Sequence, residues 1–211
     1  MTELQPATKG RRDAVENRER ILQAARELYA QVGVGVTLHD VVHQAGFGVG
    51  TAYRNFLNKE EVIDIVFGDK LLSLVGTGRR CLSDPDPWSG LTRFLEQSLQ
   101  MQAADRGFSQ VLNDPALGSE RLDPARREIG ELIVALVDRL NSDARLRPGI
   151  IGADVELLHG ALAGLIDRAR PASRTSYRKY LTIVLDGLSP TCGGAVPLID
   201  LPVGPSPAAG P

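Results

Sequence analysis

Apolar positions along this chain recur at three- and four-residue intervals and do not alternate. From Asp13 onward, Ile21, Leu22, Ala25, Leu28, Tyr29 and Val32 fall on one helical face, and Gly33 is placed to end the run as a C-cap. Thr37 suits the N-cap of a second, short helix with a Leu38, Val41 and Val42 stripe, which Gly46 can stop by turning left-handed. A third short helix fits Val49 to Phe56. Asn58 then caps a fourth, "KEEVIDIVFGDKLLSLV", with two acids in the first turn, where the helix dipole favours them. Pro87 suits the first position of a helix running to about Ala104, and a shorter helix fits Arg106 to Leu112. Asp123-Pro124 opens a long helix, and two more follow: "ADVELLHGALAGLIDRA", then a segment from Ser173 to Gly187. With no sustained strand alternation, the pattern predicts an all-α chain. A three- or four-helix N-terminal unit (residues 13–60) precedes a larger bundle of five or six helices (residues 61–188). Residues 1–12 read as a flexible basic arm. Residues 189–211, with six prolines and four glycines, read as an irregular tail.

Composition narrows the partners. The 211 residues carry 24 Lys and Arg against 26 Asp and Glu, which excludes a globally basic binder but not a locally basic surface. Residues 1–60 hold eight cations against seven acids, and five of the eight (Lys9, Arg11, Arg12, Arg18 and Arg20) cluster at the leading edge. Two cysteines, Cys81 and Cys192, make no disulfide framework, and the N-terminus lacks the apolar core of a signal peptide. The apolar runs are too short to span a bilayer, so a cytoplasmic protein without membrane attachment is expected.

"QAGFGVGTAYRNF", Gln44 to Phe56, carries glycine at every second position and invites a phosphate-loop reading. A dinucleotide loop follows a strand and spaces its glycines G-x-G-x-x-G. A Walker loop needs lysine before its Ser or Thr. Neither condition is met. A helix-turn-helix at about residues 37–56 accounts for each residue instead. Ala45 lets two helices approach, Gly46 turns the chain, and Phe47 fills the space between them. Gly48 and Gly50 thin the start of the reading helix, Thr51 offers a hydroxyl and a methyl, and Tyr53, Asn55 and Lys59 supply donors along a sugar–phosphate backbone.

Arg18 to Val66, through the first-helix pattern, the Thr37 cap, "QAGFGVGTAYRNF" and "NKEEV", resembles the TetR family of bacterial transcriptional regulators. The resemblance implies a homodimer that places two reading helices on a near-palindromic operator, and a C-terminal domain that binds a small-molecule effector. By that resemblance Thr37 would contact phosphate, and Tyr53 and Lys59 would clamp phosphates. Val49, Gly50, Thr51 and Arg54 would lie on or beside the groove-facing side. Gly48 and Asn55 depart from the residues common in the family at those positions, which leaves few side chains to read bases. Lys9, Arg11 and Arg12 read either as a solvated tail or as an arm reaching the minor groove.

Several features carry two readings. His39 and His43 stand at i, i+4 like a zinc helix, but solvent- or DNA-facing histidines are the simpler account, and no metal or cofactor is expected. His159, in an apolar helix, is either a hydrogen-bonded histidine at a packed interface or a pocket-lining polar group. Trp88, Phe94, Met101 and Phe108 are either core or an effector pocket between bundle helices. The penultimate helix, apolar on most sides, is buried within its own bundle or forms a four-helix dimer interface with the last helix. Leu158, Ala161, Leu162, Leu165, Tyr180 and Val184 are its candidate contacts. The reading adopted is a non-enzymatic, ligand-responsive dimeric repressor. Its rivals are an all-α enzyme and a protein-binding helical module with a non-functional DNA unit.

Overall fold

The computed structural model describes residues 7–170 and 177–190, with side chains from Ala14 onward apart from those of Val49, Ala52 and Tyr53. The described residues form nine α-helices and one 3₁₀ turn, with no strand among them. In order these are α1 (Ala7–Val32), α2 (Leu38–Gln44), α3 (Val49–Asn55), α4 (Lys59–Leu82), α5 (Pro87–Ala104), α6 (Arg106–Asn113), the 3₁₀ turn (Glu120–Leu122), α7 (Asp123–Ser142), α8 (Gly152–Ala169) and α9 (Tyr177–Leu188). The all-α class expected from periodicity is what the chain adopts. None of these helices is long and apolar enough to cross a membrane.

One expectation is corrected. The first helix begins at Ala7, so the second half of the supposed arm, residues 7–12, is helical. Polarity there does not exclude helicity. Lys and Arg are strong helix formers, and a single interior glycine such as Gly10 costs only about 1 kcal/mol, which a 26-residue helix absorbs. The side chains of Lys9, Arg11 and Arg12 lie outside the described residues, as do the expected helix start at Ser173 and residues 191–211 of the tail.

Most helix ends are written locally. Gly33 sits at φ +91° and its N–H donates to the Tyr29 carbonyl at 2.9 Å, closing α1. Asn58, Asp86 and Asp105 each accept a backbone N–H of the first turn of α4, α5 and α6 at 2.9, 3.0 and 2.9 Å. The 3₁₀ turn was not foreseen. It rests on a distant anchor, Asp64 of α4, which accepts the N–H of Ser119 at 2.9 Å.

α4 is the spine. At 24 residues it is about 36 Å long, reaching from the N-terminal unit to the far end of the bundle. Its first turns bury Val62, Ile63 and Val66 and pack on α1; its later turns bury Leu71, Leu74 and Val75 and pack on α5 and α7, where a Cβ on Gly78 would meet Leu132 and Phe94. These apolar side chains form one continuous core. α6 lies across the junction of unit and bundle, against α1. There a Cβ on Gly107 would fall 2.7 Å from the Phe67 ring and 2.9 Å from Tyr29 Cβ, so only glycine lets the two helices approach this closely. Burial, with Glu60 adding to it, pushes the Tyr29 hydroxyl at this junction up to about 12.

Candidate nucleic-acid interface

α2 and α3 are seven residues each, and their geometry is set by their ends. Thr37 and Asp40 form a reciprocal capping box. Asp40 N–H donates to Thr37 Oγ1 (3.1 Å) while Thr37 N–H and Oγ1 donate to Asp40 Oδ2 (2.8 and 2.6 Å). These bonds hold the Asp40 carboxyl below its usual range. The T-x-x-D signal for this box was present in the sequence, and its consequence is that Thr37's donors are already engaged by a carboxylate. At the turn, Gly46 adopts φ +79°, and the N–H groups of Gly46 and Phe47 each donate at 3.0 Å, to the carbonyls of His43 and Val42. Ala45 is buried and Phe47 packs on the core edge, as a helix-turn-helix requires.

The N-terminal face of α3 is open. A Cβ on Gly48 would meet nothing within 4 Å, one on Gly50 only the Arg54 guanidinium at 3.7 Å, and neither residue has a positive φ. Packing and backbone conformation inside this protein therefore do not require either glycine. Arg54 is exposed beside them, its Nε donating to the Gly50 carbonyl at 2.9 Å. Thr51 is half-exposed. Asn55, expected from the sequence to be an outward donor, instead turns its amide back onto the Thr51 carbonyl at 2.7 Å. The side chains of Val49 and Tyr53 lie outside the described residues. Lys59 is half-buried at the start of α4. It borders a cleft of about 390 Å³ between unit and bundle, with Val34, Gln110 and Asp114 on the other walls.

His39 and His43 are exposed on α2 with ring centroids 6.4 Å apart, and no third ligating side chain among the described residues completes a metal set with them. His159 is buried. Its Nε2 lies 3.0 Å from Ser98 Oγ and 3.3 Å from Gln102 Nε2, and Gln102 Oε1 accepts from Ser109 (3.3 Å) and Asn113 (2.7 Å). Burial pushes the imidazole down to about 4, so it is neutral at physiological pH. This polar cluster joins α5, α6 and α8. α6 in turn reaches the N-terminal unit, where Gln110 Oε1 accepts the Val34 N–H at 2.8 Å. Gln110 carried no sequence signal, because its partner lies 76 residues away.

The other expected effector residues do not gather around His159. Phe94 and Phe108 are fully buried core, Phe108 near the Phe67 ring at 6.5 Å, while Trp88 and Met101 are half-buried at opposite ends of α5. Of the six candidate interface residues, Leu162 faces its own core; Leu158, Ala161, Leu165, Tyr180 and Val184 lie at least partly on the surface. The outward stripe is wider than the sequence suggested. Leu157 of α8 is 75% exposed and Ile183 of α9 57% exposed, and both share this side.

A family model described as bacterial regulatory proteins, tetR family, matches residues 21–65, the segment from α1 through most of the first two turns of α4. An HTH-type transcriptional regulator of Staphylococcus aureus (strain bovine RF122 / ET3-1) is 38% identical over 53 residues, 25% of this chain and 29% of that protein. The match thus spans under a third of such relatives. Among solved structures, a TetR transcriptional regulator from Streptomyces coelicolor is 27% identical over 82% of this chain and 99% of its own, with a TM-score of 0.55. The probable transcriptional regulatory protein RHA5900 is 25% identical over 82% and 98%, with a TM-score of 0.64. SmeT, the repressor of a Stenotrophomonas maltophilia multidrug efflux pump, shares the fold at 21% identity, covering 80% and 86% with a TM-score of 0.57. Residues 21–65, which hold the helix-turn-helix, thus match the tetR family of bacterial regulatory proteins, and the chain is similar in fold to solved regulators of that kind over most of its length.

Proposed function

We propose that the protein is a cytoplasmic, homodimeric DNA-binding repressor, not a catalyst, which releases a near-palindromic operator when a small molecule binds its C-terminal bundle. The observation that carries the reading is the open face of α3. Two exposed glycines without an intramolecular reason stand beside Thr51 and the exposed Arg54, so backbone and side-chain donors can approach an external partner closely. Tyr53 and Lys59 act on phosphates, Thr51 and Arg54 on bases, and affinity falls with salt because phosphate contacts release counterions. The arm cations Lys9, Arg11 and Arg12 add to the phosphate contacts.

Dimerisation is supported by the apolar surface of α8 and α9, where Leu157, Ala161, Tyr180 and Ile183 are exposed among the described residues and Leu165 is half-buried beside them. Two copies related by a two-fold axis would present their α3 helices to half-sites about 34–36 Å apart. Ligand response is supported by the polar cluster around His159, since α6 is bonded both to that cluster and to the N-terminal unit. An effector that favours a displaced α6 changes the α3 spacing only by its differential affinity; a hundredfold release needs about 2.7 kcal/mol.

The test is a gel-shift with the DNA flanking the protein's own gene, titrated with salt, alongside size-exclusion measurement of mass. A salt-sensitive, sequence-specific shift by a dimer is expected. Absence of such a shift under all salt conditions would overturn the proposal.

A further inference from the structure

Two α1 arginines, Arg18 and Arg20, sit in the basic leading edge that reads as a phosphate-binding surface, yet the structure gives both a different occupation. Arg18 Nη2 donates to Glu61 Oε1 at 2.9 Å, Nη1 donates to the Asn55 carbonyl, and the guanidinium lies over the Phe56 ring, 4.4 Å from its centroid. Glu61 is held in turn by the Leu57 N–H at 2.8 Å. Arg20 lies over the Phe47 ring at 4.6 Å, and its Nη2 donates to the Ala45 carbonyl at 3.2 Å. Residues two apart on a helix diverge by about 200°. One arginine therefore reaches the chain where it enters α3 and the other where it leaves.

The carbonyls they hold are the C-terminal ends of α2 and α3, the negative ends of two short helix dipoles. Neither helix is long enough to be stable in isolation, and α3 has Gly50 within it and Gly48 just before it. Its orientation must come from contacts outside itself. Phe47 and Phe56, the rings under the two guanidiniums, flank α3 on either side.

We infer that Arg18 and Arg20 are positioning residues that bracket the recognition helix and set its inclination to α1, so that sequence discrimination depends on them although neither binds phosphate. This rests on the DNA-reading function proposed above. It also explains how a reading helix with so few side chains holds a defined geometry: the two brackets supply from α1 the rigidity that Gly48 and Gly50 remove.

The experiment compares Arg18→Ala, Arg18→Lys and Arg20→Ala with the wild-type protein by three measurements. These are amide hydrogen exchange of residues 50–55, the affinity ratio of the duplex pool selected by wild type from a random library over an unselected random duplex, and the salt slope on the unselected duplex. Circular dichroism verifies that each variant is folded; Arg20→Ala, at the exposed bracket, provides the test if Arg18→Ala does not fold. Loss of one bracket should speed exchange in α3 and lower the affinity ratio by about tenfold each, and leave the salt slope unchanged. Arg18→Lys should behave like Arg18→Ala, because an ammonium cannot stack and fork together. A salt slope lowered by about 0.9 with α3 exchange unaltered would make the arginine a phosphate ligand and overturn the inference. Full recovery in Arg18→Lys would overturn the bracket by showing that charge alone suffices. If wild type selects no sequence, the DNA-reading function fails, and the brackets are judged on exchange alone.

Discussion

Gly107→Ala tests the packing of α6 on α1. The added Cβ would stand 2.7 Å from Phe67 Cζ, 2.9 Å from Tyr29 Cβ and 3.1 Å from the Tyr29 backbone oxygen. Two of these lie below any ordinary carbon contact, and Tyr29 and Phe67 are fully buried, their rings stacked at 6.0 Å, so neither can swing aside. α6 must shift, against Gln110's bond to Val34 and the tie from Asp105 to Lys70. Overpacking of this kind costs about 1–3 kcal/mol, offset by up to about 1 kcal/mol from replacing glycine in a helix. A net loss of about 1–2 kcal/mol is expected, which for a chain of this size lowers Tm by roughly 2–8 °C. Gly76→Ala is the control. It lies inside α4, six residues before its end, and its Cβ would meet only the flexible Arg80 guanidinium at 3.5 Å, so the same substitution should stabilise by up to about 1 kcal/mol. The assay is thermal unfolding of both variants at one protein concentration, since the Tm of the proposed dimer would depend on it. If Gly107→Ala matched Gly76→Ala in sign and size, α6 would not be packed as closely on α1 as argued, and the coupling role given to Gln110 would fall with it.

Three further outcomes are expected. His159 has its folded value depressed to about 4 from 6.5, so the unfolded chain binds its proton first. Its contribution to stability therefore rises with pH between about 4 and 6.5 and is flat above; the span is on the order of 3 kcal/mol, and His159→Gln should remove that slope from denaturant-unfolding curves measured across the window. Lys59→Ala should weaken selected and random duplexes equally and flatten the salt slope by about 0.9, whereas Arg54→Ala should change which sequences are selected; a changed preference with an intact slope in Lys59→Ala would reverse these roles. Ile183→Glu, which places a charge on the exposed apolar stripe of α9, should leave the monomer folded and shift the sedimentation mass to that of a single chain; an unchanged mass would move the interface elsewhere.

The helix pattern was legible because its signals are local. Thr37, Asn58 and Pro87 act within one turn of themselves, and Gly33 and Gly46 stop helices through their own φ. The helix-turn-helix was legible for the same reason, since its turn residues and its two apolar stripes lie within about twenty consecutive positions. Local reading failed where polarity stood in for irregularity, in residues 7–12, and where a short polar side chain had two destinations. Asn55 has the composition of a DNA donor, but its amide closes onto a carbonyl one turn back.

What the sequence determined by itself is thus the all-α class, the starts of α2 to α8 to within a residue, and the likeness of residues 21–65 to the tetR family, whereas α1 begins earlier and α4 runs on to Leu82, beyond the expected segment. What only the tertiary structure decided is the use of groups whose partners are distant in the chain. Arg18 and Arg20 look alike as members of a basic run. The fold assigns them to aromatic rings and helix C-termini at the two ends of α3, Arg18 across 37 residues to the Asn55 carbonyl and Arg20 across 25 to Ala45. α8 shows the same limit differently. Apolar and small residues together occupy most of its sides, so periodicity alone has no clear phase by which to tell Leu162, turned inward, from Leu157, turned out; packing against α5 and α7 supplies it. Local chemistry specifies where a helix starts and stops, whereas the direction a side chain serves depends on the neighbour that folding brings to it.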